Sequence, residues 1–414
     1  MKNLLNLIGG NAVSHLITFA AAPLITRLYS PGELGDLSMM IAALAILNVF
    51  STMKFELAIP LAKNDKDTAN LLVICFAALL ATSIIYLLLT VGFALLSPMN
   101  TLGMAILLLP IMLLGEGLFT IAVHYGLRLK KYKHISLIKV NKSIIMNSGQ
   151  IGFGLISSSS FSIIMGDLIG RLLGANRMLM DMKNYIASQK AFISKNSMKK
   201  VAVEFKNYPL VSSFSSFLNS IALQAFPLML GVLYGSASLG IYALSQRILI
   251  GPLSLVSQAF SQIFLSEAAE NIRNGSTRGL VKLFMYTVGV LLLFVSIILS
   301  IFLLWGEEII NLVFGSEWTG SHDIIKYMSI MILFQFVASP LSQTLNLLSK
   351  QAFQFYWDLA RFIIISSFLL VIYLFGVGFY LTIFIYSVLM AIMYITLFGI
   401  IIKQLFSLEK RSIC

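Results

Sequence analysis

Charged side chains are scarce in this sequence. Asp, Glu, Lys and Arg make up only 11% of the 414 residues, whereas soluble domains carry about 25%. Hydrophobic residues account for 58% of the chain, and the mean hydropathy is +0.91. This composition excludes a water-soluble protein. Because a helical membrane span needs roughly 20 apolar residues, the chain has room for about twelve spans with short connections.

Cysteine is nearly absent, with Cys75 inside an apolar stretch and Cys414 at the C-terminus. The four histidines lack the spacing of metal ligands; they are His15, His124, His134 and His322. These features support neither a disulfide framework nor a metal cluster. The sequence has no P-loop, nucleophile elbow or nucleotide fingerprint, and the glycines of Gly149–Gly154 are interpreted as sites of close helix packing. We therefore expect no cofactor and no enzymatic activity.

The apolar residues fall into segments of membrane-spanning length. The predicted spans are approximately residues 3–26, 35–62, 69–96, 102–126, 135–155, 161–182, 208–234, 239–266, 280–304, 324–348, 353–375 and 378–402. Because this number is even, both termini are predicted to lie on the same side of the membrane.

Basic residues are distributed unevenly between alternate connections. Lys and Arg number 29 against 17 Asp and Glu, which gives a formal net charge of +12. The connections 128–133 and 183–206 are rich in Lys and Arg and fall on the side of both termini, whereas alternate connections such as 305–323 contain none. Under the positive-inside rule, this asymmetry places the termini in the cytoplasm. It also accounts for the positive charge without a nucleic-acid partner.

The longest cytoplasmic connection lies near the middle of the chain. We predict an N-terminal six-helix lobe at residues 1–183, a basic linker at 184–207 and a C-terminal six-helix lobe at 208–414. The pattern Leu-Tyr-x4-Leu-Gly occurs at Leu28–Gly35 and again at Leu233–Gly240. So short a pattern can arise by chance in an apolar chain, but its position after the first and seventh spans favours a parallel duplication.

Polar residues recur at helical spacing inside several spans. The main stripes are Lys139, Lys142, Ser143, Asn147 and Gln150 in the fifth span; Arg247, Gly251, Ser254, Gln258 and Ser261 in the eighth; and Gln335, Ser339, Ser342, Asn346 and Ser349 in the tenth. Small polar residues commonly join helices, at about 0.6 kcal/mol per contact, whereas long polar side chains suit a hydrated lumen better. We predict an all-α, polytopic membrane protein of about twelve transmembrane helices, in two six-helix lobes around a central polar cavity.

Charged residues inside the spans each have two interpretations. Arg247 either contacts an anion or forms a buried ion pair with another helix. Asp167 and Arg171 are four residues apart with the acid first, the spacing of an intrahelical pair that is either structural or functional. Glu116, between two glycines, is either a proton site or a neutral, hydrogen-bonded group.

Lys54 and Glu56 are two residues apart, so on a continuous helix they would point to different faces. Either Lys54 lines the inner vestibule, or Pro60 ends the helix early and both charges lie at the membrane interface.

The segments Pro23–Gly35 (PLITRLYSPGELG) and Lys54–Lys63 (KFELAIPLAK) resemble the opening of the bacterial polysaccharide biosynthesis transporters. These are the O-antigen and capsule repeat-unit flippases of the multidrug/oligosaccharidyl-lipid/polysaccharide exporter superfamily. The resemblance implies movement of undecaprenyl-diphosphate-linked oligosaccharides from the inner to the outer leaflet of the bacterial cytoplasmic membrane, through a cationic lumen and by alternating access. The family motif often carries Arg at the position of Lys54, so this chain departs from it at a place where Arg would bind phosphate bidentately.

The resemblance, together with the polar stripes, defines the expected site. The predicted substrate-binding residues are Lys54, Lys139, Lys142, Asn147, Gln150, Arg171, Arg247, Gln258, Gln335 and Asn346, and the candidates for proton or cation coupling are His15, Glu116 and Asp167. The expected partners are the lipid-linked oligosaccharide, the lipid bilayer, a polysaccharide polymerase and a chain-length regulator.

Two other functions are weighed against the flippase. A multidrug and toxin extruder shares the superfamily, but cationic drugs would favour a lumen with more acids than bases. A membrane polysaccharide polymerase or glycosyltransferase would need catalytic residues in a large outer loop. The largest outer connection here, 305–323, has no paired acidic motif.

Overall fold

The computed structural model describes residues 2–96, 106–348 and 350–413. Within these ranges the chain is helical throughout apart from turns, and it contains no β-strand. The predicted all-α class is therefore confirmed. Cys414, Ser349, the predicted outer connection at 97–101 and the beginning of the predicted span 102–126 lie outside the described residues.

Fourteen α-helices are assigned in the described ranges. They are α1 (Lys2–Leu28), α2 (Pro31–Leu47), α3 (Asp65–Leu96), α4 (Leu109–Arg128), α5 (Tyr132–Ile156), α6 (Ser160–Leu173), α7 (Asn176–Ser188), α8 (Lys195–Glu204), α9 (Ser213–Arg273), α10 (Thr277–Phe314), α11 (Gly320–Leu341), α12 (Gln343–Leu347), α13 (Gln351–Phe375) and α14 (Phe379–Ile413). Short 3-10 turns occur at Asn48–Phe50, Phe55–Leu61, Lys190–Phe192 and Ser316–Trp318, and a π turn at Tyr208–Ser212.

Eight stretches among the described residues are long and apolar enough to cross a membrane, as expected of a multi-pass membrane protein. They are Pro31–Phe50, Asp65–Leu95, Leu109–Arg128, Tyr208–Arg273, Thr277–Phe314, Ser316–Leu345, Ala352–Phe375 and Phe379–Ser407. The fourth stretch has 66 residues, and a straight helix of that size would be about 99 Å long, roughly three times the hydrocarbon thickness. Gly235 interrupts it with φ 83° and ψ 166°, which glycine adopts without a Cβ clash. The count of twelve spans stays a prediction.

The second predicted span is not one continuous helix. Helix α2 ends at Leu47, and the chain turns through Met53 and Lys54, both with positive φ (53° and 59°), into the 3-10 turn Phe55–Leu61. In this turn the Glu56 carboxylate accepts the Thr52 hydroxyl and lies 3.9 Å from the Lys54 ammonium. The expectation that Lys54 and Glu56 point to different helix faces is therefore wrong, because the turn removes the helical geometry that would separate them.

The chain forms two compact units, Met1–Gly240 and Ile241–Cys414. In the first unit α5 packs along α1 and α6, and α4 packs against α3 and α6. Much of the predicted linker 184–207 is helical, in α7 and α8, and α8 packs against α3. The division into lobes at this linker stays a prediction.

Helices α5 and α6 approach closely through a row of glycines. A Cβ on Gly166 or Gly170 of α6, or on Gly174 directly after it, would overlap Gln150, Met146 or Lys142 of α5, respectively. Both rows repeat every four residues and so occupy one face of each helix. A Cβ on Gly149 would lie 3.1 Å from the Gly166 Cα, and one on Gly154 would lie 2.9 Å from the Tyr29 ring. The interpretation of the Gly149–Gly154 glycines as close-packing sites is confirmed for these two and is wrong for Gly152, where a Cβ would meet no atom within 4 Å.

In the second unit α11 packs against α10 and α14, and α13 packs against α14. Buried polar groups join these helices: the Trp357 Nε1 donates to the Met393 carbonyl at 2.7 Å, and the Met331 amide donates to the Ser387 hydroxyl at 3.2 Å. Such bonds satisfy polar groups that burial would otherwise leave without partners.

Candidate substrate site

The polar stripe of α5 lies mainly against α1. The Lys139 ammonium donates to the Asn11 side-chain oxygen at 2.8 Å, and the Ser143 hydroxyl donates to the Ser14 carbonyl at 2.8 Å. Asn147 donates to the Thr18 hydroxyl at 3.3 Å. These contacts match the alternative in which polar residues join helices, and they leave Lys139 half-buried at one end of the stripe.

Farther along α5, Asn147 and Gln150 are buried at 3% and 1% exposure. The Tyr29 hydroxyl donates to the Gln150 backbone carbonyl at 2.7 Å. The side-chain oxygens of Asn147 and Gln150 accept no hydrogen bond from the described part of the chain. Two predicted site residues therefore lie in the helix interface, where a large substrate would need the helices to separate.

Four charged side chains from three helices meet in the first unit, and we call them the charge cluster: Glu116 of α4, Lys142 of α5, and Asp167 and Arg171 of α6. The Lys142 ammonium lies 2.7 Å from Glu116 Oε2, and the Arg171 guanidinium donates to the same oxygen. Arg171 also donates through Nε and Nη2 to the two oxygens of Asp167. The intrahelical pair predicted for Asp167 and Arg171 is present, and Glu116 extends it to α4 and α5.

Two glycines place Glu116 at this position. A Cβ on Gly115 would lie 3.0 Å from the Arg171 Cβ, and a Cβ on Gly117 would overlap the side chain of Leu79. Because neither residue has a Cβ, α4 can lie close to α6 and α3 with the Glu116 side chain between the helices. The Lys142 ammonium also lies 4.2 Å from the centroid of the Phe119 ring, a cation–π contact from the next turn of α4.

The two cations and two carboxylates of the charge cluster balance, but nearby Lys139 adds a further positive charge. Lys139 lies about one helical turn from Lys142, and among the residues that the structure describes no carboxylate is within ion-pair distance of its ammonium. With Lys139 included, three cations face two carboxylates, a net charge of +1. An anion entering from the Lys139 side would meet positive potential in a partly desolvated site.

The remaining predicted residues of the first unit lie elsewhere. Lys54 is in the turn after α2, paired with Glu56, and His15 is exposed on α1. Neither is ion-paired or hydrogen-bonded to the charge cluster in the described structure.

In the second unit, Gln335 of α11 lines a small, open pocket of about 90 Å³. Its polar lining is formed by Gln335 with Ser254, Ser257 and Ser339, beside the ring of Phe336. Ser254 of the eighth-span stripe and two residues of the tenth-span stripe, Gln335 and Ser339, thus line the same pocket. Arg247 is half-buried on α9, and Gln258 is exposed on that helix. The Asn346 side chain lies outside the described side chains.

Asp36, which the sequence did not single out, joins three helices of the first unit. Its carboxylate accepts the Ser160 hydroxyl at 2.5 Å and the hydroxyl of Ser236. These partners are 124 and 200 residues away. The nearest signal in the sequence is the repeated Leu-Tyr-x4-Leu-Gly pattern. Its first copy ends one residue before Asp36, and its second copy contains Ser236.

The fold matches solved transporters of the MOP superfamily. An inward-facing multidrug resistance MATE family transporter superposes with a TM-score of 0.63 at 14% identity, covering 99% of this chain and 96% of that one. A MOP superfamily transporter from Pyrococcus furiosus superposes with a TM-score of 0.54 at 12% identity, with the same coverage. At these identities the likeness shows the fold alone, a bundle of membrane-length helices.

The sequence comparisons are more specific. Residues 24–323 match the family model described as "Polysaccharide biosynthesis protein". The chain therefore belongs to the polysaccharide biosynthesis protein family, and the resemblance seen in Pro23–Gly35 is confirmed. The chain is also 26% identical over 340 residues to the capsular polysaccharide biosynthesis protein CapF of Staphylococcus aureus, covering 81% of this chain and 82% of that protein.

Proposed function

We propose that this protein is a flippase for undecaprenyl-diphosphate-linked oligosaccharides. It moves O-antigen, capsule or related repeat units from the cytoplasmic to the outer leaflet of the bacterial cytoplasmic membrane by alternating access. The observation that carries this proposal is the position of Lys139 beside the charge cluster, an excess of positive charge inside a helical membrane unit. Membership of the polysaccharide biosynthesis protein family supports the saccharide part of the cargo.

A diphosphate needs such a site to cross a membrane. An isolated ion costs tens of kcal/mol to transfer into a medium of low dielectric constant, so cationic side chains must replace its hydration. With the cytoplasm at negative potential, outward movement is favoured by about 2.3 kcal/mol per negative charge per 100 mV. Coupling to protons or cations, with His15, Glu116 and Asp167 as candidates, would add to this driving force.

The pocket beside Gln335 supports a second part of the proposal. Its hydroxyl and amide groups carry no formal charge, and sugars are neutral molecules with many hydrogen-bonding groups. An aromatic ring such as Phe336 offers an apolar surface to the faces of a sugar ring. The lining of this pocket therefore suits hydrogen bonding with a saccharide.

Orientation and partners follow from the same proposal. The excess of Lys and Arg in the connections 128–133 and 183–206 supports cytoplasmic termini. A polymerase and a chain-length regulator would act on the repeat units after transfer.

Reconstitution of the purified chain in vesicles tests this function. We expect a lipid-linked oligosaccharide with a diphosphate bridge to become accessible on the opposite leaflet faster than in vesicles without protein. Cationic drugs and dyes, tested in the same vesicles, should not move. Transport of the cations, or of neither cargo, would reject the flippase function.

A further inference from the structure

Two cations of the charge cluster share one carboxylate. One oxygen of Glu116 contacts both Lys142 and Arg171, and therefore receives donors from two cationic side chains on two helices. Phosphate oxygens are recognised by the same geometry, a single oxygen shared between Lys and Arg donors. The carboxylate of Glu116 thus occupies the position expected for a phosphate oxygen.

We propose that Glu116 is an internal counter-ion that the diphosphate displaces. Lys142 and Arg171 then release the Glu116 carboxylate and bind the phosphate oxygens of the substrate. This inference rests on the proposed function, and it names the residues of the diphosphate subsite and the order in which they change partners. In the empty protein the Glu116 carboxylate is shared by the two cations, and during transport the substrate takes its place.

Glu116 is the member of the cluster that can leave. Its side chain is 20% exposed, whereas that of Asp167 is 1% exposed and holds Arg171 through two oxygens. When Glu116 turns away, Arg171 stays bound to Asp167, and Lys142 stays against the ring of Phe119. Both cations therefore keep their positions. Their hydrogen-bond donors still point to the place that the Glu116 oxygen occupied.

The charge balance fits a diphosphate diester. With Glu116 in place, the cluster and Lys139 carry a net charge of +1. Without the Glu116 carboxylate, three cations face Asp167 alone, a net charge of +2. A diphosphate that joins a lipid to a sugar carries one negative charge on each phosphate, so the occupied site would be neutral. Charge neutrality lowers the cost of holding the bridge in a partly dehydrated site.

Binding of farnesyl diphosphate to the purified full-length chain in lipid nanodiscs tests this inference, with farnesol as the uncharged control ligand. Glu116→Gln keeps the size and an acceptor oxygen but removes the competing charge. We expect this variant to bind farnesyl diphosphate at least tenfold more tightly than the native chain, with farnesol binding unchanged. Replacing Lys142 by Gln in the same variant should remove the gain, because position 142 then carries no positive charge to attract the diphosphate.

A matched control removes a carboxylate elsewhere in the same unit. Glu204 pairs with Lys63 at 2.8 Å on the exposed surface, so Glu204→Gln changes the net charge equally and should leave farnesyl diphosphate binding unchanged. If Glu116→Gln does not remain monodisperse, Glu116→Asp replaces it. The Asp side chain is one methylene shorter, so its carboxylate cannot reach both cations. We therefore expect a smaller gain in farnesyl diphosphate affinity, about threefold.

Equal or weaker binding by a folded Glu116→Gln, including no binding by either protein, would overturn the counter-ion role. The proposed function is tested separately, by vesicle transport of lipid-linked oligosaccharide with the native chain. Transport by the native chain without tighter binding in the variant rejects only the counter-ion role. Tighter binding in the variant without transport by the native chain rejects only the flippase.

Discussion

Gly35 and Gly240 pack against each other through their backbones. A Cβ on Gly35 would lie 3.0 Å from the Gly240 amide nitrogen, and a Cβ on Gly240 would lie 3.0 Å from the Gly35 amide nitrogen. The first Cβ would also overlap the Ser236 carbonyl, and the second the Pro31 carbonyl. Ser236 precedes Gly240 by as many residues as Pro31 precedes Gly35, so the two copies of the repeated pattern meet in a reciprocal contact. This relationship supports the duplication.

Substitution of either glycine by alanine tests this contact. In Gly35→Ala or Gly240→Ala the new methyl group meets backbone carbonyls that cannot turn aside, so we expect a loss of about 3 kcal/mol of stability. Gly152→Ala is the control, because a Cβ at Gly152 meets no atom within 4 Å, and it should be neutral or slightly stabilising. The unfolding midpoint in detergent measures both effects. Native stability of Gly35→Ala would contradict the close contact.

The carboxylate of Asp36 should hold three helices of the first unit together. Asp36→Asn keeps one acceptor oxygen but loses the charge and at least one of the bonds from Ser160 and Ser236. We expect a loss of about 2 kcal/mol, the range of hydrogen bonds to charged groups. Asp323→Asn is the control, because its pair with Lys326 is exposed and 3.8 Å long, and exposed pairs contribute about 0–1 kcal/mol. Equal effects of the two changes on the unfolding midpoint would refute the role of Asp36.

The cluster contains features that sequence periodicity can predict and features that it cannot. Asp167 and Arg171 lie four residues apart on one helix, so their pair follows from helical geometry. Glu116 and Lys142 belong to different helices, and periodicity shows which face of each helix is polar without showing which faces meet. The glycines beside Glu116 indicate close packing, but the partner helix depends on the whole bundle.

The turn after α2 shows the same limit. An apolar segment long enough to span the membrane predicts one helix, yet positive φ angles at Met53 and Lys54 end it. Such angles are uncommon outside glycine and are held by surrounding contacts, which residue type alone does not reveal. The helical class, by contrast, follows from composition, because backbone groups in lipid must be hydrogen-bonded within the segment.

Loss of the Asp167 charge should destabilise the protein. Asp167→Asn leaves Arg171, 10% exposed, with Glu116 as its remaining carboxylate, which Lys142 shares. Breaking a buried ion pair typically costs about 3–5 kcal/mol, so we expect a lower unfolding midpoint and less protein in the membrane. Asp181→Asn is the control, because Asp181 and Lys131 form a pair that is more than a third exposed, and the change should be small. An unfolding midpoint equal to that of the native chain would contradict an essential role of the Asp167–Arg171 pair.

The half-buried ammonium of Lys139 should affect transport more than stability. Its contact with Asn11 is one hydrogen bond, worth about 1 kcal/mol of stability. For a bound anion, removal of the Lys139 ammonium would be a larger loss, because this cation has no carboxylate partner among the described residues. We expect Lys139→Ala to reduce surface polysaccharide at least tenfold in a strain that lacks its own flippase, at unchanged protein level. Lys139→Arg should retain most activity because the charge remains. Lys133→Ala, at an exposed position near the beginning of α5, should have no effect. Full complementation by Lys139→Ala would remove the main support for the diphosphate site.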